Sequence, residues 1–114
     1  MRTVTIGVSS TEETSARALG AFRGEPQGEF ISFSSVERLW TVLTPGRWAL
    51  IRALAGQTPM SLRAVARALD RDVKNTHADV HALLNAGLLD RTTDDLIVFP
   101  YDAVHVDFTI GQAA

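Results

Sequence analysis

An α+β fold is what the 114-residue sequence predicts, and three observations predict it. Near both ends, in "RTVTIGVSS" and "YDAVHVDFTI", apolar residues alternate with polar or small ones, the period of a half-buried strand. Between these ends lie segments with capping residues and apolar side chains at helical spacing, and after them two short β-type runs flank the polar "TTDD".

In chain order, Val4, Ile6 and Val8 alternate with Thr3, Thr5 and Gly7 in a first strand. Ser10 or Thr11 then caps a short helix with Glu12 and Glu13 in its first turn and Gly24 beyond its end. "GEPQG" is a loop, and "EFISF" returns to β-type residues. Ser34 or Ser35 caps "VERLWTVL", in which Val36, Leu39, Trp40 and Leu43 share a face. Pro45 is suited to the first position of a new helix, which carries Trp48, Ile51, Leu54 and Ala55 on one side and stops at Gly56. Ser61 caps a helix with Leu62, Val65, Ala66 and Leu69 buried. Asp72 caps the last helix, from Val73 to about Asn85, and Gly87 ends it. The "TTDD" hairpin and a strand through Val104, Val106, Phe108 and Ile110 follow.

The length suits one domain, and 46% hydrophobic against 21% charged residues is globular composition. No window approaches a membrane span, and the opening residues do not read as a secretion signal, so a cytoplasmic protein is expected. The absence of cysteine removes disulfides, thiolate metal sites and cysteine nucleophiles. The net charge of −2 does not favour a nucleic-acid partner, but its distribution is uneven. Residues 47–91 hold seven basic and four acidic side chains, while residues 92–114 hold four acidic and no basic ones.

A helix, a short break, a second helix ending in "AGLL" and then a hairpin form the order of a winged helix-turn-helix, onto which residues 61–100 map. The expected division is a strand-helix-strand extension for dimerisation over 1–33, a winged helix-turn-helix over 34–100, and a C-terminal strand and tail over 101–114. The stretches "FSSVERLWTVLTPGRWALIRAL", "SLRAVARALDRDVKNTHADVHALLNAGLLDR" and "IVFPYDAVHVDF" resemble the winged-helix transcriptional regulators related to the MarR group, some of which are encoded beside toxin-type genes. The resemblance covers roughly residues 30–110 and is strongest in "LDRDVKNTHADVHALLNAGL" and "FPYD".

In that frame, Val73, Val80, Leu83 and Leu84 face the core, with Thr76 near the seam. Lys74, Asn75, His77, Ala78 and His81 then project outward as base readers. Asn75 is suited to a two-point contact with adenine, and Lys74 to guanine or phosphate. Arg63, Arg67 and Arg71, spaced four apart, and Arg91, Thr92 and Thr93 on the wing are suited to phosphates. A plainer reading pairs the arginines with Asp70, Asp72 and Asp79, as surface contacts of about 0–1 kcal/mol each. Asp79 fits the DNA-facing reading least well, since it would repel phosphate.

"HADVH" spaces His77 and His81 as in a zinc protease, but Ala78 stands where the catalytic Glu would be, and no metal or other cofactor is expected. Trp40 and Trp48 read as core residues. With no nucleophile elbow or phosphate-cradling glycine loop, no enzyme is expected. The expected function is a sequence-specific DNA-binding transcriptional regulator, a repressor with autoregulation of its own operon as one mode. It acts on double-stranded DNA as a homodimer built through the terminal strands. The alternative is an antitoxin-like module that binds a toxin partner through its N-terminal extension and its acidic tail, with Asp94, Asp95, Asp102 and Asp107, and DNA binding secondary.

Overall fold

The computed structural model describes residues 2–8 and 29–108. In chain order its elements are β1 (Thr3–Val8), β2 (Phe30–Phe33), α1 (Val36–Val42), α2 (Pro45–Leu54), α3 (Leu62–Leu69), α4 (Val73–Asn85), β3 (Asp90–Arg91), β4 (Ile97–Val98) and β5 (Ala103–Asp107). The expected helix over residues 10–24, the "GEPQG" loop and Ile110 lie outside the described residues.

β1 is the middle of a three-stranded sheet of order β2-β1-β5, parallel to both neighbours. The register sets Ile6 beside Ile31 and Val106, and Val4 beside Val104. Because side chains alternate, these residues share one face, and that face meets the helices. Val4 and Ile6 are wholly buried and join Phe33, Leu39, Leu50, Leu54, Val80 and Leu83 in one core, each such aliphatic side chain contributing about 1.5–3 kcal/mol. Both edges of β1 are taken up within this chain by β2 and β5. Gly7 permits the β5 approach: a Cβ there would lie 2.6 Å from the Asp107 carbonyl oxygen, so only glycine lets the two backbones come this close.

Arg2 ties the open end of this sheet to the chain that enters β5. Its Nε donates to both Glu29 carboxylate oxygens at 2.9 Å, its Nη1 to the Pro100 carbonyl at 2.9 Å, and its backbone N–H to Asp102 Oδ2 at 2.8 Å. The guanidinium also lies 4.7 Å from the centre of the Tyr101 ring. "FPYD" is thus the receiving side of the Arg2 contacts, with Phe99 buried and edge-on to Tyr101. The Arg2 hydrogen bond holds the Glu29 carboxyl below its ordinary value, and Glu29 in turn raises Arg2.

The helices follow their caps. Ser35, Thr44, Ser61 and Asp72 accept the backbone N–H of Arg38, Arg47, Ala64 and Asn75. The α1–α2 corner falls where Pro45 forces Thr44 into extended backbone (φ −73, ψ 161). α3 stops at Asp70, which takes the left-handed conformation (φ 53, ψ 50) while Arg71 N–H donates back to the Ala66 carbonyl.

Two expected core positions differ. Trp40 is 53% exposed: the α1 stripe runs through Leu39 and on to Leu43, and Trp40 lies one 100° step aside, edge-on to Phe108 at 5.8 Å. Val73 is 43% exposed because it opens α4 before the helix reaches the core. Trp48 is half-buried against the core, as expected, and Leu50, outside the expected stripe, is wholly buried.

β3 and β4 pair antiparallel, and Met60, just before α3, bridges to Ile97 through two hydrogen bonds of 2.9 and 2.7 Å. The turn is closed by Thr92, whose Oγ1 accepts from Leu96 N–H, and by Asp95 at φ 63.

Gly7→Ala is expected to lower the free energy of unfolding by about 1–3 kcal/mol, read by urea denaturation, because the β1–β5 backbones must separate. Glu29→Gln is expected to lower the melting temperature near neutral pH. The Glu29 contribution is present above the ordinary carboxylate range and is lost as pH falls through its lowered value, so parent and variant converge on acidification.

Candidate nucleic-acid interface

α4 carries an outward face whose composition follows from its spacing. Lys74, Ala78 and His81 fall at i, i+4 and i+7 on one line, flanked by Asn75 and His77, and all five are exposed. Opposite them, Thr76, Val80 and Leu83 are buried; the Thr76 hydroxyl donates to the Asp72 carbonyl at 2.9 Å, so its polar atom is paired. Ala78 is the small residue in the middle of the outward face. Asn85 continues the line one turn beyond His81 and is also exposed, a position that sequence reasoning passed over because it sits at the helix end.

The first turn is preorganised by Asp72. Its Oδ1 accepts the Asn75 backbone N–H and its Oδ2 accepts Asn75 Nδ2, both at 2.8 Å. One amide hydrogen of Asn75 is used in this way. The other hydrogen and Oδ1 keep the donor-acceptor pair that a two-point contact with an adenine edge requires.

Between α3, α4 and the hairpin lies a cleft of about 440 Å³, lined among others by Arg63, Val73, His77, His81, Arg91 and Asp95. The structure therefore brings Arg63, His77, His81 and Arg91 to one concavity. The His77 and His81 rings are 4.2 Å apart, centre to centre, and tilted by 42°. Among the described residues no group of three or more His, Cys, Asp or Glu side chains is arranged to hold a metal ion. Arg91 Nη1 is 2.6 Å from Asp95 Oδ1, an exposed i, i+4 pair within the hairpin. Thr92 is spent on the turn, whereas Thr93 is exposed at its tip.

The arginine row divides. Arg63 and Arg67 are exposed on α3 and have no hydrogen-bond or ion-pair partner among the described residues; the same is true of Lys74. Arg71 does not continue the row, because the chain turns at Asp70. Its guanidinium goes instead to Asp79 Oδ2 at 3.2 Å and to the Gly46 carbonyl at 3.1 Å. Arg47 Nε donates to Asp79 Oδ1 at 3.0 Å, and Arg47 Nη1 to the Val42 carbonyl at 2.9 Å. Asp79 thus points to the helix packing and not to the outward face. Arg47, which pattern reading left without a role, supplies half of its neutralisation from 32 residues away in sequence.

The HVO_A0114 family model matches residues 42–106, more than half of the chain. The chain belongs to the HVO_A0114 family. The HVO_A0114 match runs from the end of α1 into β5, and so contains α2, α3, α4, the hairpin, "FPYD" and both arginines that hold Asp79. No curated protein and no solved structure matches the chain.

Asp79→Ala is expected to lower the free energy of unfolding by about 1–3 kcal/mol, since it leaves two partly buried guanidiniums without their shared acceptor. Denaturation of Asp79→Ala and Arg47→Ala singly and together checks it: the double variant is expected to lose less than the sum.

Proposed function

We propose that the chain is a winged helix-turn-helix transcriptional regulator, similar to those of the MarR group, that binds double-stranded DNA as a dimer and represses transcription without catalysing a reaction. The observation that carries the reading is the outward line Lys74, Ala78 and His81, flanked by Asn75 and His77, on the helix that precedes the hairpin. A helix of this kind enters the major groove with its first turns against base edges, and Ala78 at the centre of the face lets its backbone come close. The Met60–Ile97 bridge supports the reading, because it adds a strand position from before α3 to the hairpin and so fixes the wing to the helix pair. Arg63, Arg67 and Lys74 are unpaired among the described residues and sit where phosphates flank such a groove. A DNA regulator works in the cytoplasm of a cell without a nucleus, and that is the compartment this reading implies.

A second reading has its own observation. Asp94, Asp95, Asp102 and Asp107 are all exposed, and residues 92–114 carry no cation to offset them. This surface suits a basic protein partner of the toxin type, with the helix pair in a supporting role. Asp95 and Asp102 are engaged by Arg91 and by the Arg2 amide, which leaves Asp94 and Asp107 as the acceptors such a partner would meet first.

Selection of bound fragments from random DNA, followed by anisotropy titration, tests the first reading. Asn75→Ala is expected to weaken binding to the selected site by about 1–3 kcal/mol and to leave random DNA nearly unchanged. Arg67→Ala is expected to weaken both and to reduce the salt dependence by about one phosphate contact. Equal losses on selected and random DNA from Asn75→Ala would contradict base reading.

A further inference from the structure

β5 is an open edge. The Ala103 N–H donates to the Arg2 carbonyl, and the alternation of a parallel ladder then turns the backbone groups of Ala103, His105 and Asp107 towards β1 and those of Val104 and Val106 outward. Among the described residues no strand lies on that outward side. Beside it, between β5 and α2, is a cleft of about 320 Å³ lined chiefly by Trp48, Ile51, Ala55, Val104 and Val106. Val106 is 40% exposed. An unprotected edge next to an apolar groove is the arrangement that strand pairing covers.

We propose that the occupant is a second copy of this chain, whose β5 adds antiparallel to this one across a two-fold axis at Val106. The two sheets become one of six strands. The choice of axis follows from the side chains, because only residues of even number in β5 offer outward groups and must pair with each other. An axis at Val104 sets Val106 against a carboxylate, Asp102, and an axis at His105 sets His105 against itself. An axis at Val106 places Val106 opposite Val106 of the partner subunit, Val104 opposite the partner's Phe108, and His105 opposite the partner's Asp107, each of the last two pairs occurring twice. An imidazole N–H of His105 then faces a carboxylate acceptor. The apolar side chains lie on the face of the α2 cleft and extend the strip that already joins Phe108 to Trp40. This supplies the two-fold that the proposed function requires, and rests on that reading only for its need of two half-sites.

Light scattering on the full chain without DNA tests it, so a failure here is separate from a failure of DNA binding. The expected result at micromolar concentration is twice the 12.4 kDa chain mass. Val106→Pro removes an N–H that serves no bond among the described residues, and is expected to give 12.4 kDa with the circular dichroism of the parent. Should that variant not fold, His105→Asp sets like charges opposite each other and is expected to raise the dimer dissociation constant roughly tenfold, with Asp107→His added to it restoring the parent value. In this cysteine-free chain, Val106→Cys is expected to give a covalent dimer on oxidation, since directly opposed residues of a hydrogen-bonded pair lie about 5.5 Å apart at Cα. A monomeric parent, a folded Val106→Pro dimer, or a dimer in which Val106→Cys does not cross-link would overturn the proposal.

Discussion

The helical half of the molecule turns on Asp79. One carboxylate receives Arg47 on one oxygen and Arg71 on the other, and the remaining donors of those arginines reach the Val42 and Gly46 carbonyls. Four segments are joined in this way: the end of α1, the start of α2, the break after α3, and the middle of α4. In a partly buried setting such a network is stronger than the same contacts in water, and it is costly to leave half-made. Its geometric effect is to fix the rotation of α4 about its own axis. With Asp79 held by the two arginines and Val80 buried on one side of it, Ala78 on the other side faces out, and Lys74 and His81 follow one turn to either side.

That carboxylate also marks the boundary of what was legible in the sequence. Helical spacing identified the outward residues of α4, and the caps Ser61 and Asp72 and the stop at Gly87 all lie where local chemistry puts them. Spacing alone left Asp79 as an unexplained negative charge near the same face, because its counter-charges come from other elements and Arg47 belongs to a different helix. Arg71 misled for a related reason. Its spacing continued the row of Arg63 and Arg67, but the left-handed residue Asp70 ended the helix and swung the side chain away. Trp40 and Val73 were assigned to the core by helical spacing; Trp40 lies one step off the stripe that α1 buries, and Val73, on the buried stripe of α4, opens that helix before it reaches the core.

The sheet shows the other kind of limit. Alternation in two segments and β-type composition in a third placed three strands where they occur, yet carried no information on who pairs with whom or in which direction. Those were decided by contacts between residues about a hundred apart: Val4 and Ile6 beside Val104 and Val106, and Gly7 beside Asp107. "FPYD" stood out as a motif whose purpose the sequence did not disclose. Its carbonyl, ring and carboxylate are the three groups that receive Arg2 from the other end of the chain.

β1 and β5 are neighbouring parallel strands at the two ends of the described elements. A stretching force applied between those ends would pull the start of one strand and the finish of the other in opposite directions along their shared axis. Every hydrogen bond of the pair would carry load together, in place of the one-at-a-time opening of a hairpin pulled from its ends. The fold therefore resists extension at the seam between β1 and β5, with the helices and the wing lying inside the clamped loop and shielded from tension until that seam gives way.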